Sequence, residues 1–150
     1  MQSLLARGVY WCTMCQQELP AERFLTDAIR NGAPRSHCRA CSGKRTRAKK
    51  FNLSFAAVDR LFAFQNYRCA LCDKEYKDGD GLNLDHNHAC CPDKGTSCGE
   101  CVRGLLCWSC NAGVVTWYEG VRGRVTPIPL FEKYLNNPPA VAAGLVRRRP

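Results

Sequence analysis

A small α+β fold stabilised by zinc is what this sequence predicts, with a β-hairpin and a following helix at its centre and a four-cysteine finger in front. Three observations carry that expectation. C-x-x-C pairs stand at Cys12–Cys15, Cys38–Cys41, Cys69–Cys72 and Cys107–Cys110. Each such turn points two thiolates at one metal, so two pairs complete a tetrahedral structural site. Leu82-Asn83-Leu84-Asp85-His86 alternates as a strand does, and Val102 to Leu106 reads as its return. The remaining apolar periodicity is helical and short, in Phe55 to Phe62 and Leu130 to Leu135.

The 150 residues allow one domain or two small ones. A formal charge of +9 is spread unevenly: residues 1–50 carry +7, residues 51–101 carry −3 and residues 102–150 carry +5. Basic ends around an acidic middle suit a protein that grips a polyanion and holds a cation centrally; the plainer reading is solvated surface charge. The 12 cysteines approach the density of a disulfide scaffold. Met1 to Arg7, however, lacks the long apolar core of a signal peptide. The expectation is a cytoplasmic chain with reduced thiols that bind zinc, and no apolar run long enough to span a membrane.

Taken in order, residues 8–50 form the finger, with Cys12, Cys15, Cys38 and Cys41 on one zinc. Phe24 and Ile29 supply its minimal core, and Asn31-Gly32-Ala33-Pro34 a turn. His37 is a surface or phosphate-contacting residue, because four cysteines already complete the site. Ser42 to Lys50 holds five basic residues and is either a linker or a helical extension. The second domain runs over residues 51–136. Ser54 caps a helix whose Phe55, Val58, Leu61 and Phe62 share one face, and Asn66 closes it. A polar connection ends in a Gly79-Asp80-Gly81 turn. After the hairpin a helix runs from Ser109 through Tyr118, broken by Gly120 and Gly123. Pro127 and Pro129 mark an extended passage, and Leu130 to Leu135 forms an amphipathic helix. Residues 137–150, ending in Arg147-Arg148-Arg149-Pro150, read as a disordered basic tail.

Cys69, Cys72, Cys107 and Cys110 make a second zinc site that brings Asp85-His86 opposite Asn111. Two oxygen donors with open positions suit a hard ion, Mg²⁺ or Mn²⁺, which can polarise a phosphodiester. A neutral His86 beside it can take a proton from water. Singly, each residue has a duller explanation: Asp85 a turn residue, His86 a half-buried polar group, Asn111 a helix cap. Framed by two knuckles, the three together point to chemistry.

From Cys69-Ala70-Leu71-Cys72 through Asp85-His86-Asn87-His88 to Val102-Arg103-Gly104-Leu105-Leu106-Cys107-Trp108-Ser109-Cys110-Asn111, the chain resembles the recombination endonuclease VII family of HNH (His-Me finger) nucleases, common in phages. The resemblance covers residues 51–118. It implies a ββα-metal core and a metal-dependent DNA endonuclease acting on branched or duplex DNA, leaving 5′-phosphate and 3′-hydroxyl ends. Asp85 and Asn111 then bind the catalytic ion, His86 activates water and His88 helps hold the phosphate. Relatives that cut both strands of a junction act as dimers, which makes a homodimer an expectation, in the cytoplasm of a phage-infected host. Lys44, Arg45, Arg47, Lys49, Lys50 and Arg103 are the candidates for DNA-backbone contact.

Two departures from the family pattern stand out. Residues 89–101 form a cysteine-rich insert, where Cys90, Cys91, Cys98 and Cys101 are a ligand set for a third zinc. Adjacent Cys90 and Cys91 strain a shared tetrahedron, which leaves one spare, and the other reading is a loop of free or oxidisable thiols. The helix after Asn111, Ala112 to Trp117, has no acidic residue, so a supporting carboxylate found in some members is missing. The rival function is a zinc-finger nucleic-acid-binding regulator without catalysis, which would need none of Asp85, His86 and Asn111.

Overall fold

The computed structural model describes residues 8–77, 80–93 and 95–147. Gly79 of the expected turn, Arg148 to Pro150 of the expected tail and Met1 to Arg7 lie outside the described residues. The chain divides between Thr46 and Arg47 into two compact units, four residues earlier than the sequence suggests.

In the first unit, β1 (Val9–Cys12) pairs antiparallel with β2 (Gln17–Pro20), and β3 (Phe24–Asp27) with β4 (Ala33–Cys38). The first C-x-x-C pair occupies the β1–β2 turn, where Gln16 takes a left-handed conformation at φ 53. The second pair spans the junction of β4 and helix α1 (Arg39–Lys50), so the basic stretch is helical rather than a bare linker. Phe24 is buried, with the Tyr10 ring edge-on at 5.9 Å. Ile29 does not join it and is 95% exposed. Its turn is set by polar bonds: Asp27 accepts from the Ile29 N–H at 3.1 Å, and Asn31 reverses the chain at φ 54. That local chemistry points Ile29 outward, leaving Phe24 and the thiols as the interior.

The second unit is built on α2 (Phe55–Phe64), β5 (Leu82–His86), β6 (Val102–Cys107), a π-helical segment (Ser109–Val115) continuing into α3 (Thr116–Val121), α4 (Pro129–Asn136) and α5 (Pro139–Ala142). Ser54 caps α2 by accepting from the Ala57 N–H at 3.0 Å, and Val58, Leu61 and Phe62 are buried as the periodicity requires. Asn66 and Tyr67, both at positive φ, turn the chain toward Cys69. Strand β6 is buried along its whole length and crosses the middle of the core.

Burial that complete needs a partner for both edges of the strand. β5 serves one. On the other, Gln65 stands in for a strand: its Oε1 accepts from the Leu105 N–H at 2.8 Å, and its Nε2 donates to the Leu105 carbonyl at 2.9 Å. Gly104 makes this approach feasible, because a Cβ there would meet Gln65 Oε1 at 3.0 Å and the Pro139 ring at 3.2 Å.

Two boundaries differ from expectation. Gly120 lies inside α3, and the stop falls at Arg122, whose N–H closes on the Tyr118 carbonyl at 2.8 Å, followed by Gly123 at φ 81. Residues 138–146 are ordered, not a disordered tail. Pro139 opens α5 at a position where its missing N–H costs nothing. Ala140 is fully buried, and Leu145 and Val146 pack on the core, so the segment carries an apolar payload that its prolines and arginines hide in sequence.

Three cysteine tetrads complete the structure: Cys12, Cys15, Cys38 and Cys41; Cys69, Cys72, Cys107 and Cys110; Cys90, Cys91, Cys98 and Cys101. Within each, all four sulfurs lie within 4.8 Å of one another. The Cys72–Cys107 separation is 3.8 Å and the Cys90–Cys98 separation 3.9 Å. A tetrahedron with Zn–S bonds of about 2.3 Å has S···S edges of about 3.8 Å, whereas a disulfide is near 2.05 Å. The electrostatics agree. Burial and neighbouring thiols push Cys15 up to about 11 and Cys101 up to about 12. Burial also acts to raise Cys12, but backbone N–H bonds outweigh it and lower Cys12 to about 6. Four thiolates cannot coexist at these distances without a cation, and this donor set fits zinc. Adjacent Cys90 and Cys91 both enter their tetrad, because the Asn87 carbonyl accepts both their N–H groups at 3.0 Å and the turn aims both thiols inward.

Binding of structural zinc is worth on the order of 10–16 kcal/mol in zinc-finger peptides, more than the net stability of a small domain. Cys110→Ser is therefore expected to unfold the second unit, read as loss of cooperative thermal unfolding together with one zinc per chain. Gln65→Ala strands the Leu105 amide and is expected to cost about 1–3 kcal/mol, measured as a lower denaturant midpoint at unchanged zinc content.

Candidate active site

The register of the hairpin breaks at the site. Asp85 pairs with Gly104 and His86 with Val102, so Arg103 is the extra residue of a β-bulge. A bulge re-aims the side chain it carries. Here Arg103 turns inward, is 7% exposed, and sets Nη1 3.4 Å from Asp85 Oδ2 and Nη2 2.5 Å from Glu119 Oε1. Burial opposes its charge, but the hydrogen bond to Glu119 and the field of Asp85 outweigh that and raise its pKa. Arg103 is thus an internal counter-ion, and its expected role in contacting the DNA backbone is overturned by its burial.

Asp85 is 2% exposed. Its Oδ2 also accepts from the Tyr134 hydroxyl at 2.9 Å. Burial raises its pKa, and Arg103 and Tyr134 pull it back. Both hydrogen bonds fall on Oδ2, which leaves Oδ1 as the oxygen for a cation. Tyr134 reaches this carboxylate because α4 is fastened two residues earlier. Glu132 accepts from the Tyr118 hydroxyl at 2.6 Å and pairs with Arg122 at 2.6 Å, which holds its carboxyl down to about 2.

His86 is buried, with Nε2 3.0 Å from the Cys91 carbonyl oxygen. A carbonyl only accepts, so Nε2 carries the proton and Nδ1 keeps its lone pair. Burial lowers the pKa of His86, with the Cys91 carbonyl acting against it and His88 adding to it. The imidazole is thus held neutral, in one tautomer, with its basic nitrogen unspent. The His88 ring stands edge-on to it at 4.6 Å, and Phe51 does the same at 5.6 Å.

Asn111 follows Cys110 directly and is half-buried in the π-helical segment, its carbonyl accepting from Thr116 Oγ1 at 3.0 Å. π-Helical turns recur at functional sites. The helix starts where β6 leaves the sheet, level with Leu82, and by Glu119 has come alongside the Arg103–Asp85 pair. Asp85, Arg103, Glu119 and Tyr134 therefore form one polar network, buried except at Glu119, which is half-buried. Asp85 and His86 are neighbours on β5, and Asn111 sits on the helix that follows β6.

Sequence reading missed Glu119, Tyr134 and the Cys91 carbonyl. Glu119, further along the helix that follows Asn111, is a carboxylate that pairs with Arg103. Tyr134 lay hidden in an amphipathic stripe that reads as core. No side-chain pattern announces a backbone carbonyl.

Of the basic candidates, Lys44 is buried, which removes it as a surface contact. Arg45 donates to His37 Nε2 at 3.2 Å. Thr13 Oγ1, which donates to the Ser36 carbonyl, accepts from His37 Nδ1 at 3.0 Å, so both ring nitrogens of His37 are engaged. Arg47 lies over the Phe62 ring at 5.6 Å. Lys49 and Lys50 are exposed. Among the described residues, no helix is long and apolar enough to cross a membrane.

The recombination endonuclease VII family model matches residues 43–127, which include both C-x-x-C pairs of the second unit, the hairpin and Asn111. The chain is 31% identical over 81 residues to the Gene 59 protein of Mycobacterium phage D29, covering 54% of this chain and 42% of that protein. It is 32% identical over 82 residues to the Gene 59 protein of Mycobacterium phage L5, covering 55% and 43%. The matched part thus spans less than half the length of these curated relatives. No solved structure matches the chain. With a family model matching more than half of its residues, over the zinc-pinned hairpin and helix, the chain belongs to the recombination endonuclease VII family.

Proposed function

We propose that this protein is a metal-dependent DNA endonuclease of the HNH type that hydrolyses phosphodiester bonds. The observation that carries the reading is the pairing of a buried Asp85 with a neutral, tautomer-locked His86 on one hairpin strand. A DNA-binding regulator without catalysis would gain nothing from a buried carboxylate and a histidine held with Nδ1 unprotonated. Membership of an endonuclease family and two phage relatives support the same reading.

Asp85, through Oδ1, and Asn111 would hold Mg²⁺ or Mn²⁺, hard ions that prefer oxygen donors. Bound there, the ion supplies Lewis acidity toward the phosphodiester and charge stabilisation for the leaving oxygen. His86 Nδ1 takes the proton of the attacking water, and the Cys91 carbonyl steadies the imidazolium through Nε2–H. His88 helps hold the phosphate. Arg103, tied to both Asp85 and Glu119, keeps the Asp85 carboxylate ionised and aimed despite its burial. Arg45, Lys49 and Lys50 on α1 contact the DNA backbone, with branched or duplex DNA as substrate. A homodimer acting in the cytoplasm of a phage-infected cell fits cleavage of both strands.

His86→Ala removes no zinc-binding thiol and is expected to leave a folded, zinc-loaded protein that binds DNA and nicks supercoiled plasmid roughly 10²–10⁴-fold more slowly in Mg²⁺ or Mn²⁺. A wild-type rate in this variant would remove His86 as the base. Asp85→Asn should also stop cleavage, with partial rescue by excess Mn²⁺. Only neutral imidazole accepts a proton, so the rate rises with pH through the His86 pKa. Burial lowers that pKa, so the limb should fall below the ordinary value of about 6.5 and vanish from any residual activity of His86→Ala.

Phosphate binding by α1 makes affinity salt-dependent. Replacing Arg45, Lys49 and Lys50 by alanine is expected to weaken binding across all sequences and to flatten the slope of log K against log salt by about one unit for each phosphate interaction removed. An unchanged slope would assign the helix a connecting role only.

A further inference from the structure

The cysteine-rich insert is more than a stabilising loop. Its four thiols converge within 4.8 Å, and among them Cys91 is the residue whose carbonyl oxygen accepts from His86 Nε2 at 3.0 Å. That carbonyl is held from three directions. The Cys91 N–H is tied to the Asn87 carbonyl at 3.0 Å. The Cys91 thiol accepts from the Cys98 N–H at 3.3 Å. The far side of the tetrad is tied back to the chain around Phe51: Asn52 donates to the Cys98 carbonyl at 3.1 Å, and Ser97 Oγ donates to the Phe51 carbonyl at 3.1 Å. Phe51 itself is the second ring packed edge-on against His86. Gly99, at φ 89, is the hinge of this closure, because a Cβ there would meet the Asn52 carbonyl oxygen at 2.6 Å.

We infer that Cys90, Cys91, Cys98 and Cys101 form a third zinc site whose role is to position the general base: metal bound by the insert fixes the Cys91 carbonyl on His86 Nε2 and so keeps Nδ1 free to accept a proton. Its physical logic is that of an outer partner which donates or accepts at the far nitrogen of a working histidine and thereby sets its tautomer. Without the metal, the four cysteines of the loop from Cys90 to Cys101 have no common centre. The carbonyl then loses its fixed place and His86 samples both neutral tautomers. Cys91 is a positioning residue here, acting only through His86. The consequence for cleavage rests on His86 being the base.

The test uses the full chain and the Cys98→Ser variant, chosen because Cys98 is the exposed member of the tetrad and lies outside the core. Wild type should hold three zinc ions by metal analysis, and Cys98→Ser two, with thermal unfolding still cooperative. In ¹⁵N-labelled protein, wild-type His86 should show the Nε2-protonated tautomer alone, and Cys98→Ser a mixture. DNA binding should be unchanged and cleavage roughly 10–100-fold slower, the usual effect of losing such a partner. Cys98→His keeps four ligands and should restore both the third zinc and the single tautomer. Should Cys98→Ser not fold, stepwise zinc release from the wild type, followed by the same His86 signals, gives the same reading. Two zinc ions in the wild type would overturn the site. A single Nε2–H tautomer persisting after the third zinc is lost would overturn the coupling. Tautomer mixing with cleavage at the wild-type rate would instead uphold the coupling and remove His86 as the base.

Discussion

Four thiolates packed within 4.8 Å repel one another unless a dication sits among them, and this single electrostatic constraint organises the second unit. Cys69 and Cys72 follow α2, while Cys107 and Cys110 flank the exit of β6. One shared centre therefore fixes the end of the buried strand, the start of the next helix and the turn after α2. The apolar core closes around that pin. Val58, Leu61 and Phe62 from α2 meet Leu105 and Leu106 from β6, and Gln65 completes the hydrogen bonding of the strand. A chain of this size buries limited apolar area, and metal coordination supplies the order that a larger core would otherwise provide.

Once β6 is fixed, its bulge places Arg103 against Asp85, and the site follows from how a buried carboxylate is countered. Burial alone favours the protonated acid. Arg103 and Tyr134 act against that at one oxygen, Oδ2, and leave the other clear of both. Glu119 balances the guanidinium from the helix, so an arginine, two carboxylates and a tyrosine share one closed network. Breaking one member leaves another charge buried and unpaired, which is costlier than the pair is favourable. The network therefore specifies geometry more than it adds stability.

The His86 side of the site uses the opposite device. Burial strips the imidazole of its charge, and one backbone carbonyl determines which nitrogen carries the proton. Neighbouring residues on a single strand thus sit in opposite settings, a carboxylate countered by an arginine and a tyrosine, and a histidine held neutral. The bulge between them makes this feasible, since it breaks the register at the point where the two environments must differ.

Much of this was legible in the sequence because it depends on spacing. C-x-x-C pairs declare zinc knuckles wherever they fall, the alternation of Leu82 to His86 declares a strand, and Ser54 with its apolar stripe declares a capped helix; all three hold in the structure. The resemblance to the family likewise rested on residues close together in the chain. What only the tertiary structure decided are the partnerships between distant residues: Tyr134 with Asp85, Glu119 with Arg103, Gln65 with Leu105, and Cys91 with His86. Ile29 and Lys44 show the same limit from the other side, one apolar and exposed, the other charged and buried. A residue's type fixes what it can bond and how much burial costs it. Whether it is buried, and against what, is set by the whole chain closing at once, and no local pattern records that.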